Sequence, residues 1–397
     1  MPVPTPFHPR TSALCTSYQW KEWAGYHAVR AFDVAFEREY NAFRQGTGMI
    51  DVTPLFKFDI FGPDAGALLS FMTVKDVRRL KDGQVTYLCW CDEDGKVLDD
   101  GTVTRWSADH YRLTSVDPSL AWLHRHARGF DVRIEDISAR VGALALQGPT
   151  SREVLLAAGA DVSKLRFFRA CKTRIGAAAV EITRTGYTGD LGYEVWVKNE
   201  NALEVWDALL EAGAPYGILP AGLDAMDITR IEAGFILAGV DYTSARHAMI
   251  PSQFSSPYEI GLDWTVQLER ERFIGQAALR KEKQEGTPRV LVGLEIAWDE
   301  LEALFDQVNL PPDICAHAWR ESVPVYDGVV QVGYATSGSW SPTLKKNLAL
   351  ATVDAKYGAI GTRLNFEWTV EHHRKAVPAT VVEKPFFNPE RKRSTPR

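Results

Sequence analysis

The sequence predicts an α+β protein of more than one domain, ending in a small β-rich, barrel-like domain. A chain of 397 residues is too long for one ordinary hydrophobic core and divides into two or three domains. Helical and strand-like periodicities are mixed along most of its length. The run Arg280-Lys-Glu-Lys-Gln-Glu-Gly-Thr-Pro-Arg289 is polar and broken by Gly286 and Pro288, and so separates residues 1–284 from 285–397.

The elements follow in order. Phe36, Tyr40 and Phe43 fall at i, i+4 and i+7, the stripe of an amphipathic helix that stops at Gly46. Met49-Ile-Asp-Val-Thr precedes Phe56-Lys-Phe-Asp-Ile, an alternating strand ending at Gly62-Pro63, and Pro63 suits the first turn of a helix over Asp64 to Met72. Gln84 to Arg105 alternates again and is interrupted by Asp92-Glu-Asp-Gly95, a hairpin turn. Ala143-Leu-Ala-Leu runs into a helix opened by Pro149, and Ala177 to Val197 reads as two strands around a glycine-rich turn. A helix over Asn201 to Ala212 carries Leu203, Trp206 and Leu210 on one stripe and closes at Gly213. Pro220 to Gly234 forms another, and Phe273 to Leu279 begins a third. The runs Val290 to Ile296, Val329 to Tyr334 and Val377 to Val382 are the strands of the small terminal domain.

Composition excludes several classes of function. Hydrophobic residues make up 45% of the chain and charged residues 24%, the balance of a folded globular protein. A net charge of -6 supplies no field for nucleic acid or an anionic membrane, and the short basic tail Arg391-Lys392-Arg393 reads as solvated. No apolar run approaches the roughly 20 residues of a membrane span, and the first residues lack the charged and apolar regions of a secretion signal. Cys15, Cys89, Cys91, Cys171 and Cys315 are scattered and odd in number, which argues against a disulfide framework. Cys89 and Cys91 share a strand face, but two thiols without a second pair read as buried thiols and not as a metal site. These features predict a reducing, cytoplasmic setting with no metal.

Two segments carry a family resemblance: Leu146-Gln-Gly-Pro-Thr150 and Arg184-Thr-Gly-Tyr-Thr-Gly-Asp-Leu-Gly-Tyr-Glu-Val195. Gly95-Lys-Val-Leu-Asp-Asp100, Pro220-Ala-Gly-Leu-Asp-Ala-Met-Asp227, Ser337-Gly-Ser-Trp-Ser-Pro-Thr-Leu344 and Lys384-Pro-Phe-Phe387 follow in collinear order. The chain resembles the T-protein of the glycine cleavage system, an aminomethyltransferase, and its folate-dependent demethylase relatives. The resemblance implies a three-subdomain cloverleaf around a central opening that holds tetrahydrofolate, with a small C-terminal β-barrel. It nominates Asp100 as the catalytic aspartate. It also implies that Tyr87, Phe167, Phe168, Tyr187, Glu194 and Arg230 line or contact the folate.

The residue chemistry is compatible with those roles. A reduced pterin presents a donor-rich edge, and one buried carboxylate accepts two hydrogen bonds from such an edge. In Tyr193-Glu-Val-Trp-Val197, Glu194 points opposite Tyr193, Val195 and Val197; without the motif, it reads more readily as a solvated strand residue, and the motif context reverses that. Tyr187 sits in a turn that could equally be an ordinary hairpin, and adjacent phenylalanines such as Phe167 and Phe168 are commonly core. Asp99 and Asp100 are consecutive, so only one enters a pocket, and a fixed carboxylate can orient a proton or stabilise developing positive charge.

Three departures from the glycine-cleavage pattern bear on the donor. Met226 stands where that family carries an arginine, with Arg230 one turn later on the same helix face, either compensating or paired with Asp227. The connection Tyr242 to Phe254 is longer, and Tyr242, Arg246 and His247 are its candidates for substrate contact. The segment Val308 to Trp319 is also longer. The expectation is therefore a tetrahydrofolate-dependent one-carbon transferase that demethylates a small methylated amine, sulfonium or ether. The alternative is aminomethyl transfer with a lipoyl-carrier protein. A non-catalytic folate-binding accessory protein is a third reading; the Lys-Gly-Cys-Tyr-x-Gly-Gln signature of such relatives is absent here.

Overall fold

The computed structural model describes residues 1–314 and 316–394, so Cys315 lies outside the described residues. A short helix α1 (His8–Leu14) precedes the hairpin β1 (Gln19–Trp23) and β2 (Tyr26–Ala31). Helix α2 (Glu37–Gln45) leads into β3 (Thr47–Asp51) and β4 (Phe56–Phe61), and α3 (Ala65–Met72) into β5 (Gln84–Cys91) and β6 (Val97–Ser107). Then come β7 (His110–Ser115), α4 (Leu120–His126), β8 (Arg133–Asp136), β9 (Val141–Gln147) and α5 (Ser151–Ala157). The strands β10 (Ala170–Ile175), β11 (Ala178–Thr183) and β12 (Gly192–Lys198) precede α6 (Ala202–Gly213), β13 (Ile218–Pro220) and α7 (Leu223–Glu232). An irregular stretch reaches α8 (Gln276–Glu285), followed by β14 (Arg289–Ile296) and α9 (Trp298–Asp306). The chain closes with β15 (Val323–Asp327), β16 (Val330–Ser341), β17 (Lys346–Asp354), β18 (Arg363–Val370) and β19 (His373–Val382).

These elements build an α+β fold of two sheets and a barrel. One sheet has the order β10-β11-β12-β9-β3-β13, antiparallel except for β13 beside β3. The second has the order β5-β6-β7-β4-β8 and is antiparallel throughout. The strands β14-β17-β16-β15-β18-β19 close into a barrel.

Alternation along β12 sorts its side chains. Tyr193, Val195 and Val197 join the core under α5 and α6, whereas Trp196 joins the core under α2 and α7. Glu194 therefore lies on the α7 side of the sheet. A further apolar cluster joins the second sheet to the barrel through the connection after α7: Cys89 and Val97 from the β5–β6 hairpin, Ile236 and Tyr242 from the connection, and Leu291 and Leu350 from the barrel.

Several boundaries differ from the sequence expectation. The helix expected from Pro220 begins at Leu223, because Pro220 ends the edge strand β13, where a missing N–H is tolerated. The buried stripe of α6 is Ala202, Val205, Trp206 and Leu209, rotated from the expected one, and the left-handed residue past its end is Gly217, not Gly213. Pro63 and Pro149 lie just before the caps Asp64 and Thr150. The polar run after Arg280 is, through Glu285, the exposed part of α8. Nor is the basic tail simply solvated: Lys392 is buried, and Arg391 pairs in bidentate fashion with Asp190 at 2.7 and 2.8 Å.

A buried ion pair fastens α2 to α7 and to the barrel. Arg44 and Glu232 are almost completely enclosed and bonded, with Arg44 Nε donating at 2.8 Å. Tyr40 (2.6 Å) and Ser341 (2.5 Å) donate to the other carboxylate oxygen, and the Glu232 carbonyl accepts the Phe387 N–H at 2.8 Å. Replacing Glu232 with Ala leaves buried Arg44 with Asp190, at 3.9 Å, as its remaining carboxylate, which is expected to cost about 3 kcal/mol of stability in denaturant unfolding, the lower end for breaking a buried pair. A loss under about 1 kcal/mol, the size of a surface pair, would contradict this assignment.

Candidate active site

The β5–β6 hairpin places Asp100 opposite Cys89, two residues from Tyr87. Asp100 is only partly enclosed, and hydroxyls hold both of its carboxylate oxygens. Tyr87 donates to one at 2.7 Å and Tyr242 to the other at 2.5 Å. Asp99 points the other way, is 1% exposed, and accepts the backbone N–H groups of Asp100, Val116 and Asp117 at 2.8 to 3.2 Å. It anchors the chain after β7. Burial raises the proton affinity of both carboxyls. The two tyrosine hydroxyls oppose that rise at Asp100, whereas the neighbouring Asp100 charge adds to it at Asp99.

Tyr242 reaches Asp100 because the residue before it is fixed. Asp241 is buried, accepts from Arg230 (2.5 Å) and from the Leu237 N–H (2.8 Å), and on its other oxygen from Thr336 (2.5 Å) and Ser337 (2.7 Å) of β16. Arg230 is itself fully buried and also donates to Asp227 at 2.7 Å and to the Phe235 carbonyl at 3.2 Å. The structure thus engages Arg230 with two carboxylates of the protein. Asp227 is shared with Arg320 at 2.7 Å, while Met226, with Trp23, Leu55 and Ala318, packs against the buried cluster that contains Leu223, Ala225 and Ile228.

The glycine-rich turn places Tyr187. Gln147 donates to the Thr185 carbonyl at 3.2 Å and accepts from Thr188 at 3.0 Å, and a Cβ at Gly186 or Gly192 would collide with its amide. These contacts tie the two motifs together and give the second a structural reason for Gly186 and Gly192. The Tyr187 hydroxyl donates to the Ile236 carbonyl, and its ring lies 5.7 Å from that of Phe235 at 24°. Glu194 accepts on one oxygen from Thr185 (2.8 Å) and Thr183 (3.2 Å). Its other oxygen accepts no hydrogen bond from the described residues, and burial raises its proton affinity.

The remaining candidates are placed less uniformly. Phe167 and Phe168 pack edge to face at 4.6 Å, and the Phe168 carbonyl accepts the Val85 N–H at the start of β5, on the Tyr87 side. Arg246 and His247 contact the segment after β7. Arg246 donates to the Pro118 carbonyl at 3.4 Å and lies 5.7 Å above Trp122, and His247 pairs with Asp117 at 2.9 Å. Sequence reasoning missed Asp241, whose partners are Arg230 on α7, the Leu237 N–H, and two residues of the distant strand β16. It also missed Trp264, 59% exposed and stacked on Tyr87 at 6.0 Å. No periodicity signals either one.

The model of the GCVT N-terminal domain matches residues 8–270, and that of the glycine cleavage T-protein C-terminal barrel domain matches residues 307–388. The chain belongs to the glycine cleavage T-protein family. An aminomethyltransferase from Caldanaerobacter subterraneus subsp. tengcongensis is 34% identical over 367 residues, 90% of each chain. One from Geobacillus thermodenitrificans is 35% identical, covering 92% of this chain and 93% of its own. The crystal structure of glycine cleavage system aminomethyltransferase T from Bartonella henselae superposes with a TM-score of 0.83 over 98% of this chain and 99% of that one. At 24% identity it establishes the shared fold. Membership of this T-protein family makes the chain an enzyme of the transferase class.

The Asp100 carboxyl at the centre of this site has a measurable pH signature. Its pKa lies above the ordinary 3.8, so across that interval the folded chain binds the proton more tightly than the unfolded chain. The contribution of this group to stability therefore falls as pH rises from 3.8 through the raised pKa and is level above it. Asp100→Asn cannot ionise, so in urea unfolding the variant should gain on the wild type as pH rises through that window. A difference that stays constant with pH would contradict the raised proton affinity.

Proposed function

We propose that this T-protein relative is a tetrahydrofolate-dependent aminomethyltransferase whose catalytic carboxylate is Asp100. The observation that carries the reading is that carboxylate, partly open and fixed through both oxygens by Tyr87 and Tyr242. Relatives matching nine-tenths of the chain are named aminomethyltransferases, which supports the same class.

The residues fit the cofactor by one test. Glu194 has one oxygen occupied by two threonine hydroxyls and the other without a described partner, a disposition suited to the donor edge of a pterin. Glu194, Tyr187, Tyr87, Phe167 and Phe168 would hold the cofactor. Arg230, committed to Asp227 and Asp241, would shape the site by positioning Tyr242. Tetrahydrofolate supplies ring nitrogens that take up a one-carbon unit. Asp100 supplies a fixed negative charge beside developing positive charge, and its raised proton affinity suits it to hold a proton during transfer. The tyrosines keep the carboxylate from reorienting, so less reorganisation is needed at the moment of reaction.

The donor in this reading is an aminomethyl group on the lipoyl arm of a carrier protein. A second reading, demethylation of a small methylated amine, sulfonium or ether, is favoured by Met226, an apolar side chain where the glycine-cleavage enzymes carry arginine. Mass detection of folate products separates the two when the enzyme is offered a loaded carrier protein or a panel of methylated compounds.

Tetrahydrofolate should raise the thermal midpoint of the wild type, and Glu194→Gln should weaken binding by about 1–3 kcal/mol. Asp100→Asn should cut turnover roughly a hundredfold with a much smaller change in folate affinity. A thermal midpoint indifferent to saturating folate would refute the cofactor assignment, and near-normal turnover in the Asn variant would remove Asp100 from the chemistry.

A further inference from the structure

The short helix α4 carries polar atoms that the fold leaves unused. Ser119 directly precedes it and is 1% exposed, yet its hydroxyl neither caps the helix nor meets another partner among the described residues. Trp122 Nε1 and His126 Nε2 are also buried without a partner, and their rings pack at 4.1 Å. Arg246 reaches the same helix from the connection after α7. Its Nη1 donates to the Pro118 carbonyl at 3.4 Å, and its guanidinium lies 5.7 Å from the Trp122 ring centroid. Its Nη2 is buried and has no partner.

Buried polar atoms are ordinarily hydrogen-bonded, so four unpartnered ones around one short helix call for an occupant. An indole N–H and a guanidinium only donate, and the occupant must therefore accept. Charge selects among acceptors. Arg125 lies 5.8 Å from the same Trp122 centroid, and neither Arg125 nor Arg246 forms an ion pair among the described residues. The carboxylate of Asp117 is already taken by His247 at 2.9 Å. Two unpaired guanidiniums beside unused donors favour an anion.

The place is separate from the Asp100 centre. Trp122 and Ala245 pack against the core cluster of Trp90 and Leu98, whereas Tyr87 and Tyr242 belong with the cluster of Cys89 and Val97. Cys89 and Trp90 are consecutive on β5, so the two clusters lie on opposite faces of the sheet. We propose that α4 and Arg246 form a second binding site, for a small oxyanion bearing a carboxylate or phosphate group. Arg246 Nη2, Trp122 Nε1 and Ser119 Oγ would be its donors. Both walls of this site are tied to β6. Asp99 accepts the N–H groups of Val116 and Asp117, and Ser244 donates to the Leu98 carbonyl at 2.5 Å. The occupant would thus brace the chain after β7 against the connection that delivers Tyr242. This inference is independent of the tetrahydrofolate reading.

The test follows the thermal midpoint of the full chain as inorganic phosphate or acetate replaces chloride at constant ionic strength. The wild type should show a saturable rise with at least one of the two, and the one that saturates identifies the class of anion. Arg246→Met should weaken that anion roughly tenfold, the size of one charge-assisted hydrogen bond. Trp122→Phe keeps an aromatic ring and removes the donor, and should weaken it roughly threefold. Because its packing is conserved, the Phe variant remains informative if the Arg246 variant is unstable. No rise beyond that in chloride would show that the donors are merely hydrated. Equal rises in the wild type and the variants would place the anion elsewhere, and either result overturns the site.

Discussion

The buried pairing of Arg230 with Asp241 is the constraint on which the site's geometry rests. Both side chains are removed from water, so the Asp241 charge is tolerable only while Arg230 is present, and Arg230 is held between Asp241 and Asp227. Asp241 uses its remaining lone pairs on Thr336 and Ser337 of the barrel and on the Leu237 N–H. One carboxylate therefore fixes the connection after α7 to the helix before it and to the barrel beyond it. The residue it delivers is Tyr242, whose hydroxyl meets Asp100 on the other sheet. Helix, barrel and hairpin are brought to one point without any of them carrying the whole site.

Environment divides the acidic residues into roles that their type alone does not assign. Asp99 accepts three backbone N–H groups and closes a loop, while its neighbour Asp100 accepts only phenolic hydroxyls and remains partly open. Glu232 is enclosed by Arg44, Tyr40 and Ser341 and serves assembly. Glu194 is half satisfied by two threonines. Glu194 is the one from which cofactor binding is argued, because its second oxygen has no partner among the described residues and is free for a ligand's donor.

Local pattern made much of this legible. The Asp92–Gly95 turn marked the β5–β6 hairpin, and strand alternation required that only one of Asp99 and Asp100 face the site. The runs after Val290 read as barrel strands, and they are. What escaped were features decided by distant contacts. The face of α6 that is buried is chosen by the sheet it packs on, so Leu203 and Leu210 gave way to Val205 and Leu209. Pro220 looked like a helix start because nothing local reveals its pairing with β3. Lys392 looked solvated because its burial depends on Arg184 and Asp190, some two hundred positions earlier in the chain. Asp241 drew no notice for the same reason: a lone aspartate in a loop announces no partner.

If Asp241 acts on the chemistry by holding Tyr242 against Asp100, the two residues belong to one device. The most direct measurement is a double-mutant cycle on kcat, with Asp241→Asn made alone, Tyr242→Phe made alone, and both together. The expected result is that Asp241→Asn slows the wild type but adds little once the Tyr242 hydroxyl is gone. Losses that multiply independently in the double variant would contradict the coupling and leave Asp241 a purely structural residue.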